Sequence, residues 1–144
     1  MKHVGLNVVA DPLFTCSYTG VKGGMIIVST DDLGLHSSQD EQDNRYYARA
    51  ALITMVEPSD LQKCINFVGE VLSLSEKYDM PVLFRLTTRV SHSKSVINLD
   101  KQRMVVRAIP YKLKEKFNPV PAVSQKLYSK VDAVLLTGGI AKSD

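Results

Sequence analysis

Residues 58–87 have the sequence PSDLQKCINFVGEVLSLSEKYDMPVLFRLT, in which a helical pattern leads into a short apolar run. Apolar and small residues recur every three or four positions, a spacing that predicts an amphipathic helix. The predicted apolar face consists of Leu61, Cys64, Ile65, Val68, Val71, Leu72 and Ser75. Ser59 and Gln62 have the spacing of a capping box at its start, and Pro81 predicts its end. The run VLFRLT at residues 82–87 then predicts a strand covered on both faces.

The same alternation of helix and strand extends toward the start of the chain. Residues 4–18 carry apolar side chains at helical spacing, with Pro12 as the predicted kink. Residues 25–28, MIIV, predict a buried parallel strand. A helix capped by Ser37 or Ser38 and ending near Ala50, and a strand at residues 52–56, are predicted to follow. Strands that alternate with helices predict an α/β fold, here three layers, α/β/α, around a mostly parallel sheet.

The pattern is weaker after residue 97. An edge strand near residues 105–109, a basic solvent-facing segment at 112–117, a helix at 122–130 and a strand at 131–136 are predicted there. We therefore expect one domain at residues 1–97 and a divergent extension, 98–144, that packs on it.

Composition excludes several classes of function. The chain has 144 residues, 44% of them hydrophobic and 23% charged, which fits a globular domain. A net charge of +3, with scattered basic residues, does not indicate a nucleic-acid or membrane partner. No long apolar run or signal peptide appears, so a cytoplasmic location is expected. Cys16 and Cys64 are far apart and lie outside any CxxC pair, so no metal or iron–sulfur site is expected from this chain.

Polar segments follow the two strongest predicted strands, at residues 29–38 and 88–93. Ligands of parallel α/β sheets bind beyond the carboxyl ends of the strands, so the two segments would border one cleft if the strands are neighbours. The candidate binding residues in and near these segments are His36, Ser37, Ser38, Gln39, Arg45, Arg89 and His92.

Four of these candidates also have a purely structural interpretation. His36 would either contact a ligand or hydrogen-bond to the nearby backbone. Arg45 would either hold a carboxylate or pair with Glu41 one helical turn earlier, and the pairing is favoured. For Arg89 and His92, a ligand-facing role and an ordinary polar loop are equally compatible with the pattern.

Arg85 is unusual because it lies inside an apolar strand. A buried guanidinium needs a partner, so we expect Arg85 at a sheet edge or against an acid from outside the sequence.

Five stretches resemble one known family. They read MKHVGLN at residues 1–7, SYTGVKGG at 17–24, HSSQDEQDNRYYA at 36–48, EPSD at 57–60 and TTRVSHSKS at 87–95. In this wording the chain resembles the alpha subunit of indolepyruvate:ferredoxin oxidoreductases, within the 2-oxoacid:ferredoxin oxidoreductases. The resemblance covers roughly residues 1–97, which would form part of a thiamine pyrimidine-binding domain.

The resemblance implies oxidative decarboxylation of aryl 2-oxoacids to acyl-CoA. Thiamine diphosphate with magnesium, iron–sulfur clusters, coenzyme A and ferredoxin serve this reaction in the family, and a partner subunit or homo-oligomer is implied. The segments with the family's pyrimidine-facing glutamate, diphosphate site and cluster cysteines have no counterpart here. We therefore expect a domain incomplete at its N-terminus, with no catalytic residue and no activity alone. The competing hypothesis is a non-enzymatic remnant or interaction module that pairs with a homologous subunit.

The tail carries a different resemblance. Residues 130–141, KVDAVLLTGGIA, are similar to a sequence motif of acetate and butyrate kinases, in which it lies close to the nucleotide. A fused gene would produce this arrangement. A sheet without its first strand would also have an open edge, which a partner, a second copy or the strand at 131–136 would fill.

Overall fold

The computed structural model describes residues 1–99, 125–129 and 131. Helices and strands alternate through residues 3–92. In chain order they are α1 His3–Val8, α2 Ala10–Thr19, β1 Ile26–Asp31, α3 Arg45–Ala50, β2 Met55–Val56, α4 Leu61–Tyr78, β3 Val82–Thr87 and α5 Thr88–His92.

The three strands form one parallel sheet in the order β1-β3-β2. Ile26 lies opposite Val82 and Asp31 lies opposite Thr87, so β1 and β3 end at the same level. The predicted α/β fold with a parallel sheet is therefore confirmed, and the two strands followed by polar segments are direct neighbours.

Alternate residues of β3 face two separate cores. Leu83 packs with Leu6, Leu13 and buried residues of and just after α3 on one face. Val82 and Phe84 pack with Val71 of α4 on the opposite face. Since side chains of a strand alternate between faces, the sheet lies between α1–α3 and α4, which gives the predicted three layers.

Helix α4 confirms the most regular pattern of the sequence but not all of its details. Its N-cap is Asp60, which accepts from the Lys63 N–H at 2.8 Å, so the predicted Ser59 capping box is wrong. A carboxylate at the residue directly before the helix reaches that N–H better than a hydroxyl one residue earlier. Asp79 ends the helix and has the left-handed conformation. This end lies two residues before Pro81, which predicts it.

The apolar face of α4 is also rotated from the predicted one. Cys64, Phe67, Val71 and Leu74 contact the sheet, while Ile65 and Val68 remain exposed. The sequence contains two overlapping apolar stripes, and only the contact with the sheet selects between them.

The break in the first helix lies at Val9, not at Pro12. Pro12 sits in the first turn of α2, where a missing N–H is tolerated. A proline ring disturbs the carbonyl four residues earlier, here that of Val8, so the helix is interrupted upstream of the proline.

Three further boundaries differ from the predictions. Strand β1 continues to Asp31, three residues beyond the apolar run, because its pairing with β3 extends that far. Helix α3 begins only at Arg45, after Asn44, and the predicted caps Ser37 and Ser38 bind elsewhere. The strand predicted at residues 52–56 is reduced to Met55–Val56, since Leu52 adopts a positive φ of 55°.

The start of the chain covers part of the outer edge of β1. The Met1 amino group donates to the Val28 carbonyl at 2.7 Å, and the Thr30 N–H donates to the Met1 carbonyl at 2.8 Å. The edge that the sequence predicts to be open is therefore partly paired within the chain.

Little of the predicted extension falls on described residues. Residues 125–129 are helical, within the predicted helix at 122–130, and the Tyr128 ring lies edge-on to Tyr18 with centroids 5.6 Å apart. Val131, the first residue of the strand predicted at 131–136, is helical and buried, so this start of the strand is wrong. The segments predicted at 105–109 and 112–117, the rest of 131–136 and the Gly138-Gly139 pair lie outside the described residues. The domain boundary at residue 97 stays a prediction. No described helix combines the length and apolar character needed to cross a bilayer.

Candidate functional site

An open cleft of about 910 Å³ lies at the carboxyl end of the sheet. Segments that follow all three strands contribute to it, as expected for a parallel α/β sheet. Its lining residues are Leu33, His36, Glu57, Pro58, Ser59, Thr87, Thr88, Arg89, Val90 and His92.

Three of the seven candidate residues meet in this cleft. His36 comes from the segment after β1, and Arg89 and His92 come from the segment after β3. The predicted loop at residues 88–93 is instead the short helix α5, whose N-cap Thr87 accepts from the Val90 N–H at 3.5 Å. The expected convergence of two polar segments on one cleft is confirmed. Ligand binding by His36, Arg89 and His92 stays a prediction.

Ser37 and Ser38 do not line the cleft. The Ser37 N–H and the Ser38 hydroxyl both donate to Asp32 Oδ2, each at 2.7 Å. Lys2 Nζ in turn donates to the Ser37 carbonyl at 2.9 Å. In this structure the two serines fix the loop that carries His36, because their polar groups are used inside the protein.

Gln39 and Arg45 also lie outside the cleft. Gln39 is exposed on the surface. Arg45 donates to the Asp43 carboxylate from Nε at 2.9 Å and from Nη2 at 2.6 Å, so its predicted pairing with Glu41 is wrong. Asp43 is the nearer carboxylate because it lies two residues before Arg45. Glu41 accepts instead from the Gly34 N–H at 3.2 Å. The bond from Arg45 is the main reason that the pKa of Asp43 is lowered.

Asp32 connects the polar segments on the two sides of the cleft. Its carboxylate is almost completely buried and also accepts from the Thr88 hydroxyl at 3.2 Å. The pKa of this carboxyl lies well below its usual range, chiefly because the Ser38 hydroxyl and the Ser37 N–H donate to it. Thr88 and the charge of Lys2 lower this pKa further, while burial opposes them.

The depressed pKa of Asp32 gives a prediction of pH dependence. Because the folded pKa lies below the unfolded value of about 3.9, the ionised carboxylate stabilises the fold at any pH above that value. This stabilisation is lost as the pH falls through the folded pKa. We expect the NMR shift of the Asp32 carboxyl carbon to stay constant from about pH 5 to 8 and to change only in stronger acid. A midpoint between pH 5 and 8 would contradict this assignment.

A buried charge network lies directly beneath the cleft. Arg85 donates from Nε to Asp31 Oδ2 at 2.7 Å and from Nη1 to Glu57 Oε2 at 2.5 Å. Asp31 also accepts from the Asn44 N–H at 3.0 Å. Burial acts to lower the pKa of Arg85, but the bonds to the two carboxylates outweigh it and raise that pKa. Arg85 therefore remains charged, and its partners come from this chain, contrary to the expectation of a sheet edge or an outside acid.

Glu57 is a cleft residue that the sequence interpretation missed. Its carboxylate borders the cavity while Arg85 holds one of its oxygens. A signal was present, because Glu57 directly follows β2 and the rule for carboxyl ends of parallel strands applies there too. The strand predicted at residues 52–56 ends directly before Glu57, but the polar residues that follow were assigned to the cap of α4 and not to the cleft.

The known proteins that this chain matches carry one name. The chain is 45% identical over 132 residues to the indolepyruvate oxidoreductase subunit IorA of Methanothermobacter thermautotrophicus, which covers 91% of this chain. It is 46% identical over 126 residues to IorA of Methanothermobacter marburgensis and 48% identical over 101 residues to IorA of Archaeoglobus fulgidus. The chain is homologous to one segment of IorA.

The similarity covers most of this chain but only a small part of IorA. The chain spans about a fifth of the length of the first two relatives, 21% and 20%, and 16% of the third. With 91% of this chain covered, the IorA-like stretch extends well past residue 97, farther than the sequence alone indicates. No family model matches the chain, and no solved structure matches it.

Proposed function

We propose that this IorA-like chain forms part of the ligand-binding site of an indolepyruvate oxidoreductase alpha subunit in the cytoplasm. The reaction would be oxidative decarboxylation of an aryl 2-oxoacid to an acyl-CoA, with electrons passed to ferredoxin. The observation that carries the proposal is the meeting of His36, Arg89 and His92 in one cleft. In this proposal the chain binds and orients a ligand, and it supplies no catalytic group.

The chemistry of the cleft suits an anionic group, because the one acid among its lining residues, Glu57, is paired with Arg85. Arg89 makes no ion pair with any described residue, and a guanidinium binds carboxylate or phosphate oxygens through two parallel hydrogen bonds. His36 and His92 lie on the same cavity and add further donors. A volume of about 910 Å³ falls within the range of known small-molecule sites.

Thiamine diphosphate is the cofactor that the family implies. When bound, it supplies the carbanion that attacks a 2-oxoacid. Among the described residues no cluster of His, Cys, Asp or Glu is able to hold a metal ion, so the magnesium end of the cofactor does not fit this part of the chain. The basic residues of the cleft fit instead the carboxylate of a 2-oxoacid, which needs no metal ion. Cys16 on α2 and Cys64 on α4 are free thiols in separate elements, an arrangement that does not suit an iron–sulfur cluster.

Isothermal titration of the 144-residue chain tests the proposal. Indole-3-pyruvate, and separately thiamine diphosphate with magnesium, would be the titrants. We expect saturable binding of at least one of them, and Arg89→Gln should raise its Kd by about 10-fold or more, since a charge-assisted hydrogen bond contributes about 1.5–3 kcal/mol.

Arg45→Gln is the matched control for this titration. Arg45 has the same side chain but lies outside the cleft, where it pairs with Asp43, so its replacement should leave the Kd unchanged. An absence of saturable heat with both titrants, or equal effects of the two arginine variants, would contradict the proposal.

Exposed apolar side chains support the second candidate, an interaction module that pairs with a partner subunit or a second copy. Ile65 and Val68 are 38% and 39% exposed and lie one turn apart on α4. Light scattering of the chain and of an Ile65→Ser, Val68→Ser variant would test this. An oligomer that the double substitution dissociates would support the module, whereas a monomer at all concentrations would exclude self-association.

A further inference from the structure

We propose that Asp32 is a positioning residue for this cleft: its carboxylate holds the His36 loop and helix α5 in the one arrangement that binds an anionic ligand. The inference rests on the proposed function for its ligand, but not for its structural basis. Asp32 itself is absent from the cleft lining, so it would act through its neighbours.

The two oxygens of Asp32 serve opposite sides of the cleft. Oδ2 accepts from the Ser37 N–H and the Ser38 hydroxyl, both at 2.7 Å, and these residues directly follow His36. Oδ1 lies 3.2 Å from the hydroxyl of Thr88, the residue directly before Arg89, and shares the proton of that hydroxyl with the Asp31 carbonyl at 3.0 Å. One side chain thus joins the segments that carry the imidazole and the guanidinium.

Apart from Asp32 and Lys2, the described side chain that holds the His36 loop is Glu41, whose carboxylate accepts from the Gly34 N–H at 3.2 Å in an exposed bond. Leu33 and Leu35 are 41% and 49% exposed, so each side chain is only partly buried. Gly34 and Leu35 both have positive φ, at 84° and 57°, which shapes the turn without anchoring it. A segment with few buried apolar contacts opens easily, so its position depends on the polar bonds to Asp32. Lys2 reinforces these bonds, because its Nζ lies 4.0 Å from Asp32 Oδ2 and donates to the Ser37 carbonyl.

Asp32→Ala removes both oxygens and tests the inference with a spectroscopic signature. The chain has three histidines, so the ring signals of His36 and His92 are assignable by NMR. With indole-3-pyruvate as the probe, we expect both signals to shift together in the native chain. In Asp32→Ala the His36 shift should disappear and the Kd should rise about 10-fold, since two charge-assisted hydrogen bonds no longer order the loop. Retention of both shifts at the native Kd would overturn the inference.

Milder substitutions keep the test informative if Asp32→Ala does not fold. Ser38→Ala removes one bond to Asp32 without touching the cleft, whereas Ser38→Thr keeps the hydroxyl and should restore native binding. Ser75→Ala is the matched control, because Ser75 also joins segments through two bonds, from the Met25 N–H at 2.9 Å and to the Met80 carbonyl at 2.6 Å, but at the opposite end of the sheet. It should lower stability without changing the Kd. Equal changes of Kd in Ser38→Ala and Ser75→Ala would show that Asp32 acts only on stability.

A measurement without ligand separates this inference from the proposed function. The Ser37 amide donates to Asp32, so its hydrogen exchange should be slow in the native chain and fast in Asp32→Ala, which removes the acceptor. If the native chain binds neither titrant but shows this difference, the proposed function fails while the role of Asp32 in ordering the loop is supported. If Ser37 exchange is already fast in the native chain, the positioning role fails whatever the chain binds.

Discussion

Arg85→Met is expected to lower the free energy of unfolding by about 3–5 kcal/mol, the usual cost of removing one partner from a buried ion pair. Methionine keeps the length and apolar stem of the side chain, so the loss reflects charge more than volume. Without the guanidinium, Asp31 would be a buried carboxylate with only the Asn44 N–H as a described donor, and Glu57 would lose its 2.5 Å bond. Urea unfolding followed by circular dichroism measures the change, since the chain has no tryptophan.

Two further variants sharpen the Arg85 prediction. Arg45→Met removes an equal charge from an exposed pair with Asp43, and solvent screening should make its effect on unfolding small. Asp31→Asn in the Arg85→Met background should recover part of the lost stability, because it removes the unpaired charge. If Arg85→Met changes stability no more than Arg45→Met does, the network contributes little to the fold.

Gly20→Ala is the second large effect that we expect, a loss of at least about 2 kcal/mol. Gly20 ends α2 with φ 71° and ψ −175°, a region of backbone conformation that is essentially restricted to glycine. A Cβ at this position would also lie 2.4 Å from the Asp79 carbonyl oxygen, a backbone atom that does not move without shifting the end of α4. Conformational strain and steric overlap therefore act together.

Gly69→Ala is the matched control for Gly20→Ala and should have the opposite sign. Gly69 lies inside α4, and apart from the backbone of its own helix no atom of the described residues lies within 4 Å of an added Cβ. Alanine in a helix interior is favoured over glycine by about 0.5–1 kcal/mol, so this variant should be more stable than the native chain. Thermal unfolding by circular dichroism compares the pair. A loss of stability in Gly69→Ala, or none in Gly20→Ala, would contradict the backbone assignment.

The site was predictable where it follows from chain order. The apolar runs that became β1 and β3 are each followed by polar residues, and the parallel rule places His36 and Arg89 at the same end of the sheet. Glu57 was missed because the polar residues after β2 were assigned to the cap of α4, although the strand itself was predicted. Ser37 and Ser38 were expected to cap a helix or face a ligand, yet both donate to Asp32.

Local sequence determined the elements of this protein, and tertiary contact determined how their polar groups are used. Hydrophobic spacing is a property of neighbouring residues, so it identified α4 and β3, and it implied a parallel sheet with a cleft at its carboxyl end. It could not show which of several nearby donors an acid would bind. Arg85 meets Asp31 across 54 positions of the chain, and Thr88 meets Asp32 across 56. Such bonds require donor–acceptor distances that are correct to within a few tenths of an ångström. These distances are reached only after β1 and β3 have paired.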